Sequence, residues 1–181
     1  ADKGFFVGYA GSLSNVYGLK YFIDAARLLQ DKEIYFILAG GGQNEHQLKE
    51  QASDLSNVIF VGWVPKKELY SFLQHMDITY AGLLNIPSFS IGSDSTKVFE
   101  YMKAQRPVVH AIGSKNSVIK ASGCGLHVEP EDSEAISDAV LKLYSLSEIE
   151  RDNMAELGIE YLRNHRTYDV LGKKWLELLE S

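Results

Sequence analysis

Apolar positions along the chain follow two alternating patterns. Short, nearly continuous apolar runs occur at FFVGYA (5–10), IYFILAG (34–40), VIFVG (58–62), DITYAG (77–82), PVVHAI (107–112) and GLHVEP (125–130). Their length and their aromatic and β-branched content predict strands. Between them the apolar residues recur at helical spacing, as with Leu19, Phe22, Ile23, Ala26 and Leu29 over 18–30. Further helices are predicted at about 44–54, from Pro65 to near His75, and over STKVFEYMKAQR after the long 82–94 loop. Three helices close the chain. One buries Ile136, Ala139, Val140 and Leu143, a second covers about 148–164, and a third carries Leu171, Trp175 and Leu178. Strand–helix alternation with apolar strands predicts an α/β fold, a parallel sheet of six strands covered by helices on both faces.

That architecture directs attention to particular loops. Open parallel sheets bind ligands beyond the carboxyl ends of their strands, so the informative segments are 11–17, 40–44, 62–65, 82–95 and 112–116. GYAGSLSNVYG (8–18) is a glycine-bearing strand-to-helix turn, which lets backbone amides approach a phosphate or simply turns the chain. AGGGQNE (39–45) is a second glycine turn. It follows the second strand, and Glu45 stands where a dinucleotide fingerprint needs its last glycine, which argues against an NAD site. In the helix after the long loop, Val98 and Met102 are predicted to face the core. Lys97, Glu100, Tyr101 and Ala104 share another face by their spacing. Lys97 stands in the first turn, where the helix dipole disfavours a cation. Either it pairs with Glu100 at the surface, or it and the helix amides hold an anion while Glu100 accepts bonds from hydroxyls of the same ligand.

Composition narrows the class further. The chain has 181 residues, enough for one domain with a sizeable core, and its 45% hydrophobic and 23% charged content is ordinary for a globular protein. A net charge of -6 argues against non-specific binding to nucleic acid. The single cysteine, Cys124, allows no internal disulfide and fits a reducing, cytoplasmic setting, with the residue itself read as packing between two glycines. No apolar run approaches the roughly 20 residues needed to cross a bilayer. The five histidines, His46, His75, His110, His127 and His165, show no metal-ligand spacing, and His110 reads as a packed residue. Lys66 and Lys67 are candidates for peripheral contact with anionic lipid, although a solvated helix start explains them better. The chain opens almost directly on a strand, as expected of a piece of a longer protein.

Five segments together resemble a known family. VGYAGSLSNVYGLKYFIDAARLL, FILAGGGQNEHQL, NVIFVGWVPKKELYSFL, STKVFEYMKAQRPVV and GCGLHVEPEDSEAISDAV stand in the order and spacing of the C-terminal domain of retaining GT-B glycosyltransferases. The likeness is strongest to the group 1 enzymes of bacterial surface-polysaccharide assembly, including N-acetylfucosamine transferases. The resemblance implies one half of a GT-B fold, a Rossmann-like three-layer α/β/α sandwich that lacks the N-terminal acceptor domain. It implies binding of a nucleotide sugar, with UDP favoured as the nucleotide, and transfer to a glycan or lipid-linked acceptor at the cytoplasmic side without metal or cofactor. By position, Gly11 and Ser12 fall in the first phosphate-side turn and Gly40 in the second. Trp63 and Val64 line the nucleobase. Ser95, Thr96 and Lys97 face the diphosphate, and Glu100 holds the ribose. Lys97 and Glu100 are the candidates for a catalytic role.

The chain departs from the family pattern at three places. The first of two glutamates normally spaced eight apart falls on Gly92, and the arginine and lysine of the first turn are replaced by Ser12 and Tyr17. Two phosphate cations are therefore missing, and the work shifts to Lys97. Two other classes stay open on the sequence. One is a non-catalytic interaction module with a degenerate donor site, which those departures favour and the Lys97–Glu100 pair opposes. The other is a sugar-nucleotide epimerase of the same fold.

Overall fold

The computed structural model describes residues 4–87 and 95–180, apart from the Lys174 side chain. The sheet-forming strands are β1 (Phe5–Ala10), β2 (Ile34–Ala39), β3 (Val58–Gly62), β4 (Ile78–Gly82), β5 (Val108–Ala111) and β6 (Gly125–His127). The helices are α1 (Leu19–Leu28), α2 (Glu45–Gln51), α3 (Lys66–Gln74), α4 (Thr96–Lys103), α5 (Val118–Ser122), α6 (Ser133–Tyr144), α7 (Glu148–His165) and α8 (Tyr168–Glu180). All six strands pair in parallel in the order β3-β2-β1-β4-β5-β6. This is the doubly wound Rossmann-like arrangement, and it bears out the predicted fold class.

Alternation along the strands divides the core into two layers. Val7, Tyr9, Ile34, Phe36, Leu38, Ile78, Tyr80 and Val109 face a layer completed by α1, α2 and α6. Ala10, Ala39, Ala81, Val108 and Ile112 face one completed by α3, α4 and α5, against which α7 also packs. β2 is buried on both faces, as its unbroken apolar run predicts, whereas the edge strand β3 leaves Ile59 and Val61 exposed. β6 ends at His127, although the chain continues beside β5 through the bond from Val128 N to His110 O, 3.0 Å. The short α5 escaped the periodicity argument because five residues hold too little of a 3.6 period. α8 leaves Trp175, Leu178 and Leu179 exposed, and no helix among the described residues is long and apolar enough to cross a membrane.

The strand order sets the position of the site. The chain moves outward from β1 to β2 and β3, then returns across the sheet to β4 beside β1. The resulting switch point opens a crevice at the carboxyl ends of β1 and β4. The turn after β1, and α4 at the far end of the loop after β4, meet there. The α4 face was partly misassigned from spacing. Tyr101 and Ala104 are buried with Val98 and Met102, because α4 packs against β4, β5 and α7 over a wider arc than one stripe. Tyr101 Oη accepts a bond from Ala10 N at 3.1 Å and donates to Ala10 O at 3.2 Å, which fixes the end of β1 to α4.

Candidate functional site

The two glycine turns pack against each other and shape one wall of a cleft. Gly11 N bonds Ala39 O at 2.9 Å, Leu13 N bonds Gly41 O at 3.0 Å, and Gly40 N bonds Gly62 O at 2.7 Å. Gly40 has φ +133, and a Cβ there would overlap the Gly11 carbonyl oxygen. Only glycine at 40 lets the turns approach this closely. The cleft has a volume of about 410 Å³ and brings together Gly11, Ser12, Gly40, Trp63 and Val64. All five were expected at the site. Ala10, Ala39, Gly41, Lys66 and Leu69 complete the lining and were not assigned to it from sequence. Lys66, predicted as a solvated helix-start residue, is exposed on this rim. Trp63 is 76% exposed, so its ring is free to stack on a planar ligand.

Lys97 packs against Gly11. A Cβ on Gly11, whose φ is +150, would meet Lys97 Cε and lie 2.5 Å from its Nζ. The Lys97 Nζ donates to Tyr9 Oη at 2.9 Å and stands 3.1 Å from the centre of the Tyr17 ring. Its charge is therefore not paired with Glu100, and the surface-pair alternative is overturned. Glu100 instead meets Lys103 at 3.7 Å, with both side chains exposed. The helix period permits either partner for Glu100; burial of Lys97 toward β1 decides between them. Burial pulls the Lys97 ammonium down to about 7. The Tyr9 hydroxyl, itself donating to Ser12 O at 2.6 Å, is held well above its ordinary range by burial, as are Tyr80 and Tyr101.

The remaining candidates sit on α4 or away from it. Ser95 caps α4, its Oγ accepting from Lys97 N at 3.4 Å, and Thr96 is exposed at the helix start. Thr96, Lys97 and Glu100 lie outside the lining of the 410 Å³ cleft. Gly92, with Ser88, Ser90, Ser93 and Asp94, falls outside the described residues. His110 is fully buried and joined to His127 by an Nδ1–Nδ1 bond of 2.9 Å, as a packed histidine should be. Cys124 is buried and its thiol is pushed up by burial. No group of three or more His, Cys, Asp or Glu that could hold a metal ion occurs among the described residues. Tyr9 and Tyr17 were not recognised as partners of Lys97. Both flank the first glycine turn, and Tyr17 stands where the family pattern has a lysine.

The model of the family described as glycosyl transferases group 1 matches residues 4–146. The chain belongs to the group 1 glycosyltransferase family. None of the curated proteins matches it. Among solved structures, a TarM mutant from S. aureus, in complex with fondaparinux, alpha-GlcNAc-glycerol and UDP, is similar with a TM-score of 0.80 at 18% identity. The alignment covers 100% of this chain and 37% of that one. The C-terminal domain of LpcC, a glycosyl transferase group 1 family protein from Francisella tularensis, has a TM-score of 0.74 at 20% identity, covering 91% of this chain and 87% of that one. HepE of Anabaena, in complex with UDP and glucose, has a TM-score of 0.74 at 18% identity, covering 98% and 49%. This group 1 chain thus has the fold of the matched parts of those structures and spans less than half the length of TarM or HepE.

Proposed function

We propose that the chain is the donor-binding half of a glycosyltransferase that takes a nucleotide sugar, with UDP as the nucleotide. The observation that carries this reading is the cleft at the switch point, with two interlocked glycine turns, an exposed tryptophan, and a lysine held against the first turn. Trp63 and Val64 flank the base. Gly11, Ser12 and Gly40 give the diphosphate close backbone approach. Ser95, Thr96 and Lys97 complete its binding from the start of α4, where exposed amides and the dipole favour an anion. Glu100, exposed one turn further on, accepts bonds from the ribose hydroxyls. Similarity to proteins solved with UDP supports the choice of nucleotide.

In the transfer step negative charge grows on the departing diphosphate. Lys97 and the turn amides oppose that charge from fixed positions, and such preorganised stabilisation is usually the largest catalytic contribution. The resemblance to retaining enzymes supports transfer with retained anomeric configuration. A second domain of the same protein would supply the glycan or lipid-linked acceptor, at the cytoplasmic side and in peripheral contact with the membrane. The test is calorimetry of the chain with UDP, in chelator and then with manganese. Binding in chelator supports the reading, and binding that appears only with manganese rejects the metal-free site. No binding at millimolar UDP in either condition rejects the donor-site reading in favour of an interaction module.

A further inference from the structure

Lys97 presents a problem that donor binding alone does not solve. Its ammonium is drawn out of water beside β1, and no carboxylate lies within 4 Å of it among the described residues. The groups that face it are Tyr9 from β1, Tyr17 from the 3-10 turn Asn15–Tyr17, and behind them Tyr80 from β4 and Tyr101 from α4. Lys66 on α3 lines the cleft beyond Gly11, and Glu45 on α2 is engaged by Lys49 at 2.6 Å. Tyr9 Oη spends its own proton on Ser12 O, so toward Lys97 it offers only a lone pair. The Tyr17 ring offers its negative π face.

The position of Tyr17 is built in. The turn that carries it closes through Tyr17 N to Ser14 O at 3.2 Å and Gly18 N to Asn15 O at 3.0 Å. It is tied to the glycine turn after β2 by Asn15 N donating to Asn44 Oδ1 at 2.9 Å, and to the chain after β4 by Leu84 N donating to Val16 O at 2.9 Å. The Tyr17 ring also rests at 54° to the Tyr9 ring, with centres 6.3 Å apart. The backbone of the turn is therefore tied to two neighbouring segments, and the ring rests beside Tyr9, before any ligand arrives.

We propose that Tyr17 is a positioning residue whose ring face, with the Tyr9 hydroxyl, forms a seat that holds the Lys97 ammonium against Gly11, ready for an incoming diphosphate. This rests on the donor-site reading given above. A carboxylate partner would satisfy the lysine and have to be displaced by the phosphate. An aromatic face and one lone pair orient the lysine and leave donor capacity over. Because a diphosphate favours the charged amine, binding above neutral pH takes up a proton at Lys97.

The experiment compares the wild-type chain with Tyr17→Phe, Tyr17→Leu and Tyr9→Phe, all checked for folding by circular dichroism. Two readouts are taken. NMR titration of the Lys97 Cε and Nζ signals without nucleotide reports the seat itself. Calorimetry with UDP in buffers of different ionisation enthalpy, from pH 6 to 9, reports affinity and proton uptake. Tyr17→Phe should keep the Lys97 midpoint and stay within about twofold of wild-type affinity, since the π face remains. Tyr17→Leu should lower the midpoint and weaken UDP binding at pH 7.5 on the order of tenfold. Tyr9→Phe, which removes the lone pair and keeps the ring, should lower the midpoint as well. An unchanged midpoint in Tyr17→Leu overturns the seat, as does an equal shift in Tyr17→Phe. Failure of the wild-type chain to bind UDP overturns the donor reading instead, while the nucleotide-free titration still decides whether Tyr17 seats Lys97.

Discussion

Replacing each of the two interlocked glycines by alanine separates backbone architecture from the placement of Lys97. Both residues occupy φ values that disfavour a side chain, +150 at Gly11 and +133 at Gly40. Each substitution therefore carries strain of about 1–3 kcal/mol. At Gly40 the new methyl also overlaps the carbonyl oxygen of Gly11, so one glycine turn must move off the other. That adds roughly 1–3 kcal/mol of overpacking. At Gly11 the new methyl overlaps the end of the Lys97 side chain, which can swing away, and otherwise lies 3.3 Å from the Tyr9 hydroxyl. Taking central values, Gly40→Ala should lose about 4 kcal/mol and Gly11→Ala about 2, or roughly 8–16 °C against 4–8 °C in melting temperature for a chain of this size.

Ligand affinity should show a second contrast. Gly11→Ala evicts the ammonium from its place beside the turn, so UDP binding should fall on the order of tenfold, the loss of a charge-assisted contact. In a Lys97→Met background the same Gly11→Ala change should cost little further affinity, because the group it displaces is gone. Thermal melts and UDP calorimetry on the four chains of this cycle provide the measurement. Strictly additive losses of affinity from Gly11→Ala and Lys97→Met would refute the placement of Lys97 against Gly11. Equal melting temperatures for Gly11→Ala and Gly40→Ala would refute the steric distinction between them.

Stability should depend on alkaline pH in two limbs. Lys97 titrates near 7 when folded and near 10.5 when unfolded, so the unfolded chain holds more protons between those values and stability should rise with pH there. Tyr9, Tyr80 and Tyr101 keep protons that the unfolded chain loses above about 10, so stability should fall beyond that point. Urea midpoints from pH 6 to 11 check both limbs, and Lys97→Met should flatten only the first. In the full-length enzyme Lys97→Ala should lower turnover on the order of 10², the scale of removing one charge-stabilising donor. Wild-type turnover in a steady-state assay would exclude that role. Glu100→Gln should cost about 1.5–3 kcal/mol of UDP affinity by calorimetry while barely moving the melting temperature, since Glu100 is exposed and its ion pair with Lys103 lies at the surface. Unchanged affinity would remove Glu100 from the ribose.

The local periods of the chain were sufficient for most of the fold. Strand runs and helix spacings are properties of neighbouring residues, so all six strands and seven of the eight helices could be located without tertiary information. The two glycine turns and the loop 62–65 were also legible, because turn chemistry and the carboxyl ends of strands are local features, whereas Trp63 was singled out by the family resemblance. Contacts between distant residues were not. Spacing on α4 offered Lys97 a partner three residues away, but its actual partner, Tyr9, lies 88 residues away in sequence. Spacing put Tyr101 on the face of Lys97 and Glu100, yet its hydroxyl clasps Ala10, 91 residues away. His110 and His127 meet because β5 and β6 pair in register. In each case the sequence supplied the chemical groups and only the packed sheet decided which of them share a space. A side chain's local neighbours follow from the period of its helix, whereas its partners across the sheet follow from the order and register of strands far apart in the chain.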